Sequence, residues 1–403
     1  MKKFKVILIC VFCLSLNTEA QFKYKTNAPM EISENGNGVF VTKDNQNNIV
    51  LNWTEAVSDG QFVMKYLELD PYGNRKNSIK TIPTTVGTQS HAESMPKIIK
   101  TAKGVVYAVF RIKAQNPKNR FGGHIYYTLS KDNGKTWVEK QKLVQIKNAR
   151  SQSFYDVALL PDGEVGISWL DSRKISGDKE GSTLYFAKSK GSKGFVGQKP
   201  LVGSTCQCCR TELFVNSRSE IYVAFRNITK GSIRDMFQVN SSDNGLTFSL
   251  PKRIGKDNWK INGCPHTGPS LASDASKTAA VWFTGAISGS GIYFKKLSDE
   301  MTFLGKKKPL TSTGRHPQMA ALPNGDFCVV YEDSYTVKEK VFERIVLHVV
   351  KNDGSEIKKI ISESNTKNDH AVITITKEGK LLVSWVKREE GKSKILYTVL
   401  DEI

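Results

Sequence analysis

One hairpin recurs seven times along this chain, and few folds accommodate such a repeat. Each copy is a short apolar strand, a polar turn such as Pro161-Asp162-Gly163 or Pro323-Asn324-Gly325, and a second strand ending in an aromatic residue. The closing aromatics are Trp53, Phe110, Trp169, Phe225, Trp282, Tyr331 and Trp385, separated by 57, 59, 56, 57, 49 and 54 residues. Gly and Asn in such turns tolerate the positive φ that hairpins require. No stretch has the apolar periodicity of a capped amphipathic helix, so the chain is expected to be all-β. Fifty to sixty residues per repeat, with a further β-rich stretch after each hairpin, describe a four-stranded propeller blade.

Seven such units fill residues 21–403 as a single β-propeller domain and leave no linker for a second one. The last unit ends after its third strand, Lys394 to Asp401. Phe22 to Thr26 is therefore expected to supply the missing strand and close the ring, which removes two open edges. Six blades with an irregular N-terminal module is the alternative count.

The only long apolar run lies in residues 1–20. Three lysines precede Val6 to Leu16, and Thr18-Glu19-Ala20 offers a small-residue cleavage site. The run is too short to span a membrane and reads as a signal peptide cleaved near Ala20, with a secreted or periplasmic product. The formal charge is +20, which favours anionic partners such as acidic glycans. The lysines are scattered, and nucleic acid is not expected for an exported chain. The product is read as a monomer with no transmembrane segment.

Two segments, Ser130-Lys131-Asp132-Asn133-Gly134-Lys135-Thr136-Trp137 and Ser241-Ser242-Asp243-Asn244-Gly245-Leu246-Thr247-Phe248, follow the pattern S-x-D-x-G-x-T-aromatic. They resemble the Asp-box of the bacterial neuraminidase repeat, and the chain thus resembles the sialidase-like propeller superfamily. That resemblance implies an exo-sialidase-type hydrolase acting on sialic acid or a related acidic sugar. Such an enzyme uses three arginines for the substrate carboxylate, a Tyr nucleophile polarised by Glu, and an Asp acid/base. Candidate substrate-binding arginines are Arg111, Arg173, Arg226, Arg210 and Arg315; Tyr331, Glu332 and Asp171 are candidate catalytic groups. The catalytic signature itself is incomplete. Ser94-Met95-Pro96 stands where the family has Arg-Ile-Pro, and the loop Asn119 to His124 holds no Asp. A non-catalytic propeller that binds a glycan or a protein is a further reading.

In a propeller, residues before the first strand, after the second and before the third share one face, which in this superfamily carries the active site. His91, His266, His316 and His370 precede first strands and His124 precedes a third. Cys206-Gln207-Cys208-Cys209 and Cys264-Pro265-His266 open the adjacent fourth and fifth units. These cysteines are read either as disulfides, with no cofactor, or as a soft-metal site. The metal reading assigns Cys206, Cys208, Cys209, Cys264 and His266 as ligands, with His316 and His370 ranked lower. Thiolate with imidazole suits copper first and zinc second. Cys328, inside an apolar run, is expected to be a buried free thiol.

Overall fold

The computed structural model describes residues 24–402 apart from 59, 115–121, 147–149, 176–179 and 298–305. The proposed signal peptide, Phe22 with Lys23, and the 119–121 part of the loop before His124 therefore lie outside the described residues. Every long element is a strand. Among the described residues the only helical pieces are three single 3₁₀ turns, Pro83–Thr85, Gly191–Lys193 and Lys230–Ser232, and none could cross a membrane.

The strands form seven antiparallel units in chain order. Their first strands are Gly36–Lys43, Lys97–Lys100, Gln152–Leu159, Glu212–Val215, Ser270–Ser273, Gly314–Ala321 and Lys367–Ile375. In the first six units, three further strands follow, each paired with the one before it. Units three and four touch through the pair Thr205–Asn227, and units six and seven through Glu343–Lys367, so each couple reads as one larger sheet.

The seventh unit supplies only three strands. The outer edge of its last strand, Lys392–Glu402, pairs with N-terminal residues, Met30 opposite Tyr397 and Tyr24 opposite Glu402. The described part of the expected Phe22–Thr26 edge strand, Tyr24–Thr26, is thus paired there, and Met30–Ser33 covers the inner half. The predicted strand was placed too narrowly, because Asn27-Ala28-Pro29 interrupts it and proline cannot donate to the ladder.

Apolar side chains collect between units. Trp53, Leu51 and Leu67 of unit one pack with Val372, Val386 and Tyr397 of unit seven. Comparable clusters fill the six other boundaries. A buried tryptophan needs a partner for its indole N–H. Trp53 donates to Glu55 at 2.7 Å, Trp169 to Asp171 at 3.0 Å, Trp282 to Asp257 at 2.8 Å and Trp385 to Asn368 at 3.0 Å.

Opposite the closing aromatic, four first strands carry a bulge in which two residues face one. Its first residue has a left-handed backbone: Gly38 (φ 62°), Phe154 (46°), His316 (49°) and His370 (50°). His316 and His370 therefore lie within first strands rather than ahead of them as expected. A non-glycine residue there is held against a local preference of about 1–3 kcal/mol, a strain that clusters at functional sites.

Two residues beyond each bulge the chain turns inward. Phe40, Asp156, Glu212, Ser270, Gln318 and Val372, one from each of six units, line a shared cavity of about 230 Å³. Lys97 of unit two holds the equivalent register and touches its neighbours on either side: its Nζ lies 4.4 Å from the Phe40 ring centroid and 3.8 Å from Asp156 Oδ1.

At the far end of the blades the Asp-boxes are local turns. Asp132 accepts from Ser130 Oγ at 2.7 Å, Thr136 N at 2.9 Å and Thr136 Oγ1 at 2.6 Å, and Asp243 repeats the pattern with Ser241 and Thr247. These hydrogen bonds to the ionised form hold both exposed carboxyls well below the usual range. Val106 pairs with Ser130 at that end, whereas Lys113 pairs with Gly123 at the other. The Asp-boxes and the candidate site therefore occupy opposite faces.

Candidate functional site

The turn between Phe195–Thr205 and Glu212–Val215 folds three cysteines inward. Cys206 Sγ lies 3.6 Å from Cys208 Sγ and 3.5 Å from Cys209 Sγ, and all three sulfurs lie within 4.8 Å of one another. A disulfide would need about 2.05 Å, and all five described cysteines are free thiols. Three sulfurs each about 2.3 Å from one ion in tetrahedral geometry would stand about 3.8 Å apart. The observed spacing is close to that.

The three are buried in an apolar cluster with Phe154, Leu170 and Leu184. Arg234 Nη1 donates to Cys206 Sγ at 3.1 Å. Hydrogen bonds from Cys208 and Cys209, aided by the Arg234 charge, hold Cys206 far below an ordinary thiol. The hydrogen bond to Cys206 raises Cys208, and burial pushes Cys209 up to about 12. The pocket thus favours one thiolate before any ion arrives.

Cys208 also faces a cavity of about 660 Å³, shared with Gln89, His91, Arg111, Cys264 and His266. The clusters from units four and five meet there, but Cys264 is exposed and stands outside the three-sulfur group. His266 packs near His91, with ring centroids 6.4 Å apart, and His91 against Phe154 at 5.8 Å. Burial lowers the His91 pKa, so that ring favours its neutral form.

His316 and His370 meet each other rather than the cysteines. Their rings stack with centroids 4.4 Å apart and 22° between planes. Glu332 Oε1 binds His316 Nδ1 at 2.6 Å, Asp369 Oδ1 binds His370 Nδ1 at 2.9 Å, and Glu93 Oε1 lies 3.7 Å from His370 Nε2. Despite burial, Glu93 and Glu332 raise the His316 pKa to about 9. The predicted partnership of Tyr331 with Glu332 is not found. Adjacent strand residues point to opposite faces; Tyr331 packs in the core against Ile292 and Val329, and burial raises its phenol well above its ordinary value.

The arginines do not assemble as a carboxylate clamp. Arg111 donates from Nε to the Gln152 carbonyl at 2.7 Å and from Nη1 to Gln89. Arg226 is buried on the Arg234 and Phe283 carbonyls at 3.0 and 2.8 Å. Arg173 pairs with Asp171 at 2.7 Å and stacks on Tyr185, and Asp171 also accepts from the Trp169 indole, so Asp171 is engaged structurally. Arg315 alone of the five is exposed, at a second cavity of about 300 Å³ beside His316.

Arg210 belongs to a buried charge network that the sequence reading did not anticipate. It lies 3.4 Å from Glu93 and 3.3 Å from Glu212, and donates to the Pro317 carbonyl. Glu93, Asp156 and Glu212 thus crowd around Lys97 and Arg210, with His316 a further cation near Glu93. Burial lowers Lys97 to about 8 and raises Asp156; burial and then the Asp156 charge push Glu212 up to about 8. Glu212 therefore keeps a proton into the neutral range. An unfolded glutamate loses it near 4.5, so between about pH 4.5 and about 8 Glu212 holds its proton more tightly in the folded chain and its contribution to stability falls as pH rises. Urea melts across this window should show that decline, and Glu212→Gln should flatten it. An unchanged slope in the variant would refute the assignment.

Units of this geometry, with Asp-boxes on one face and charged, histidine and cysteine side chains on the other, define a sialidase-like β-propeller. Residues 73–278 match the family model described as a BNR repeat-like domain, and the chain belongs to that family. A search of curated proteins returned no match. Among solved structures, polysaccharide lyase Uly1 is similar with a TM-score of 0.59 at 11% identity, covering 96% of this chain and 94% of the other. A protein of unknown function from Dyadobacter fermentans gives 0.55 at 12%, covering 94% and 100%. The K499G mutant of NanB sialidase from Streptococcus pneumoniae gives 0.49 at 11%, covering 94% of each.

Proposed function

We propose that this chain is an exported propeller that binds a soft metal ion, copper before zinc, through Cys206, Cys208 and Cys209. Cys264 and His266 stand at the cavity wall where they would complete or gate the site. The observation that carries this reading is the three-sulfur pocket: buried, free of disulfide geometry, and opening through Cys208 to a cavity bearing two imidazoles. Thiolates of this kind select Cu(I) or Zn(II) over carboxylate metals. Metal analysis with intact mass and thiol titration on untreated, full-length protein tests it. Near one equivalent of copper or zinc, with reactive thiols after chelation, supports it. A mass four hydrogens light with only Cys328 reactive would overturn it.

The scaffold reading is a ring of seven blades, within one domain after cleavage near Ala20, acting as a monomer. Support comes from the unit-seven strand edge paired with Met30–Ser33 and from the apolar boundary between units seven and one. Deleting residues 21–33 should lower the melting temperature strongly, because it exposes the Lys392–Glu402 edge. Unchanged melting would exclude N-terminal closure.

A second reading, a glycan-directed hydrolase or binding propeller, is favoured by Arg111 and Lys113 at the 660 Å³ cavity. Turnover of a fluorogenic sialoside that is lost in Arg111→Ala would place it above the metal reading.

A further inference from the structure

We propose that Glu93, His316 and His370 form a second metal site, separate from the cysteines, for a divalent first-row cation such as zinc, iron(II) or manganese. Their ligand atoms lie within 4.8 Å of one another. Two imidazoles and a carboxylate form a nitrogen–oxygen donor set that suits these borderline ions. Glu93 Oε2 faces Arg210 at 3.4 Å, which leaves Oε1 toward His370 Nε2 at 3.7 Å. That separation is too long for a normal hydrogen bond. It fits two ligands of one ion, which at about 2.1 Å each stand no more than about 4.2 Å apart.

The surroundings match what such a site requires. Ligating histidines usually donate their other ring N–H to a carboxylate, which fixes the tautomer. Here Glu332 holds His316 Nδ1 and Asp369 holds His370 Nδ1, so Nε2 is the ligating atom on both rings. Arg388 in turn grips Asp369. Both histidines also sit on the left-handed bulge backbone that units one and three fill with Gly38 and Phe154. The stacked rings would repel if both were protonated, and an ion removes that repulsion. The 300 Å³ cavity that His316 shares with Thr267, Phe283 and Arg315 leaves room for water or an anionic ligand on the ion.

Cobalt(II) separates this site from the cysteine pocket, because sulfur ligands add strong near-ultraviolet charge-transfer bands. A full-length chain with Cys206, Cys208 and Cys209 all replaced by serine, stripped with chelator and folded by circular dichroism, should bind one equivalent of Co²⁺ with visible d–d bands alone. His370→Gln in that background should abolish the binding, and Glu332→Gln should weaken it about 10- to 100-fold. On the unsubstituted chain, Mn²⁺ followed by electron paramagnetic resonance reads the same site if the cysteine variant does not fold. Absence of stoichiometric binding in either format, or binding indifferent to His370→Gln, would overturn this site without touching the cysteine reading. Loss of the sulfur bands alone would test only the latter.

Discussion

Serine at Cys206, Cys208 and Cys209 together should weaken soft-metal affinity on the order of a thousandfold or more, because thiolate donors supply most of the binding free energy in such sites. The propeller should still fold, since six of its seven apolar boundaries contain none of these cysteines and the seventh keeps its other apolar side chains. Binding to the native chain should release protons, since a thiol must ionise to hold the ion, and affinity should fall on acidification as protons compete for the same sulfurs. Isothermal calorimetry in buffers of different ionisation enthalpy counts the protons released. Cys264→Ser alone should have the smaller effect, in keeping with its exposure outside the three-sulfur group. Full retention of metal by the triple variant would dismiss the pocket as the site.

Arg210→Met is expected to be the most damaging single substitution away from the cysteines. It deletes the cation that lies between Glu93 and Glu212 and leaves both carboxylates buried without it. Breaking a buried pair in this way costs about 3–5 kcal/mol, a large part of the stability typical of a domain. Above about pH 8, where Glu212 is ionised, the double variant Arg210→Met with Glu212→Gln should recover part of the loss, because one orphaned charge is gone and the two sites are directly coupled. Chemical denaturation of the four proteins of that cycle measures the coupling. A loss under about 1 kcal/mol for Arg210→Met would mean that water, not burial, governs the network.

How much of this was legible depends on whether the signal was local. The hairpins were, because turn residues and alternating apolar positions act within a dozen residues, and all seven aromatics lie in second strands, although each strand runs on past its aromatic instead of ending there. Fourth strands were not: Gln141–Lys142 and Lys252–Arg253 are two residues long and polar, held by pairing rather than propensity. Glu93 was missed because its partners come from units six and seven, and nothing near it in sequence announces them. Lys97 was counted among scattered surface lysines. A signal for it existed: counting back thirteen from the closing aromatic reaches Phe40, Lys97, Asp156, Glu212, Gln318 and Val372, and twelve reaches Ser270. The left-handed bulge escaped detection since three of its four occupants are not glycine. Tyr331 and Asp171 were chosen for chemistry, but strand alternation and the Trp169 indole had already committed them to structure.

The bulge has a consequence for how this face could change over time. Four units hold one backbone socket in the same place, and its occupants are a glycine, a phenylalanine and two histidines. The socket constrains the main chain and leaves the side chain free to vary, so chemistry at the rim can be rewritten one blade at a time without disturbing the sheets behind it. Glycine is the occupant the backbone prefers, and a histidine there persists against that preference. Drift toward glycine would therefore make the protein more stable as it emptied the rim of function. If the rim binds metal as proposed, histidine in two of these sockets is a backbone cost carried for the sake of that chemistry.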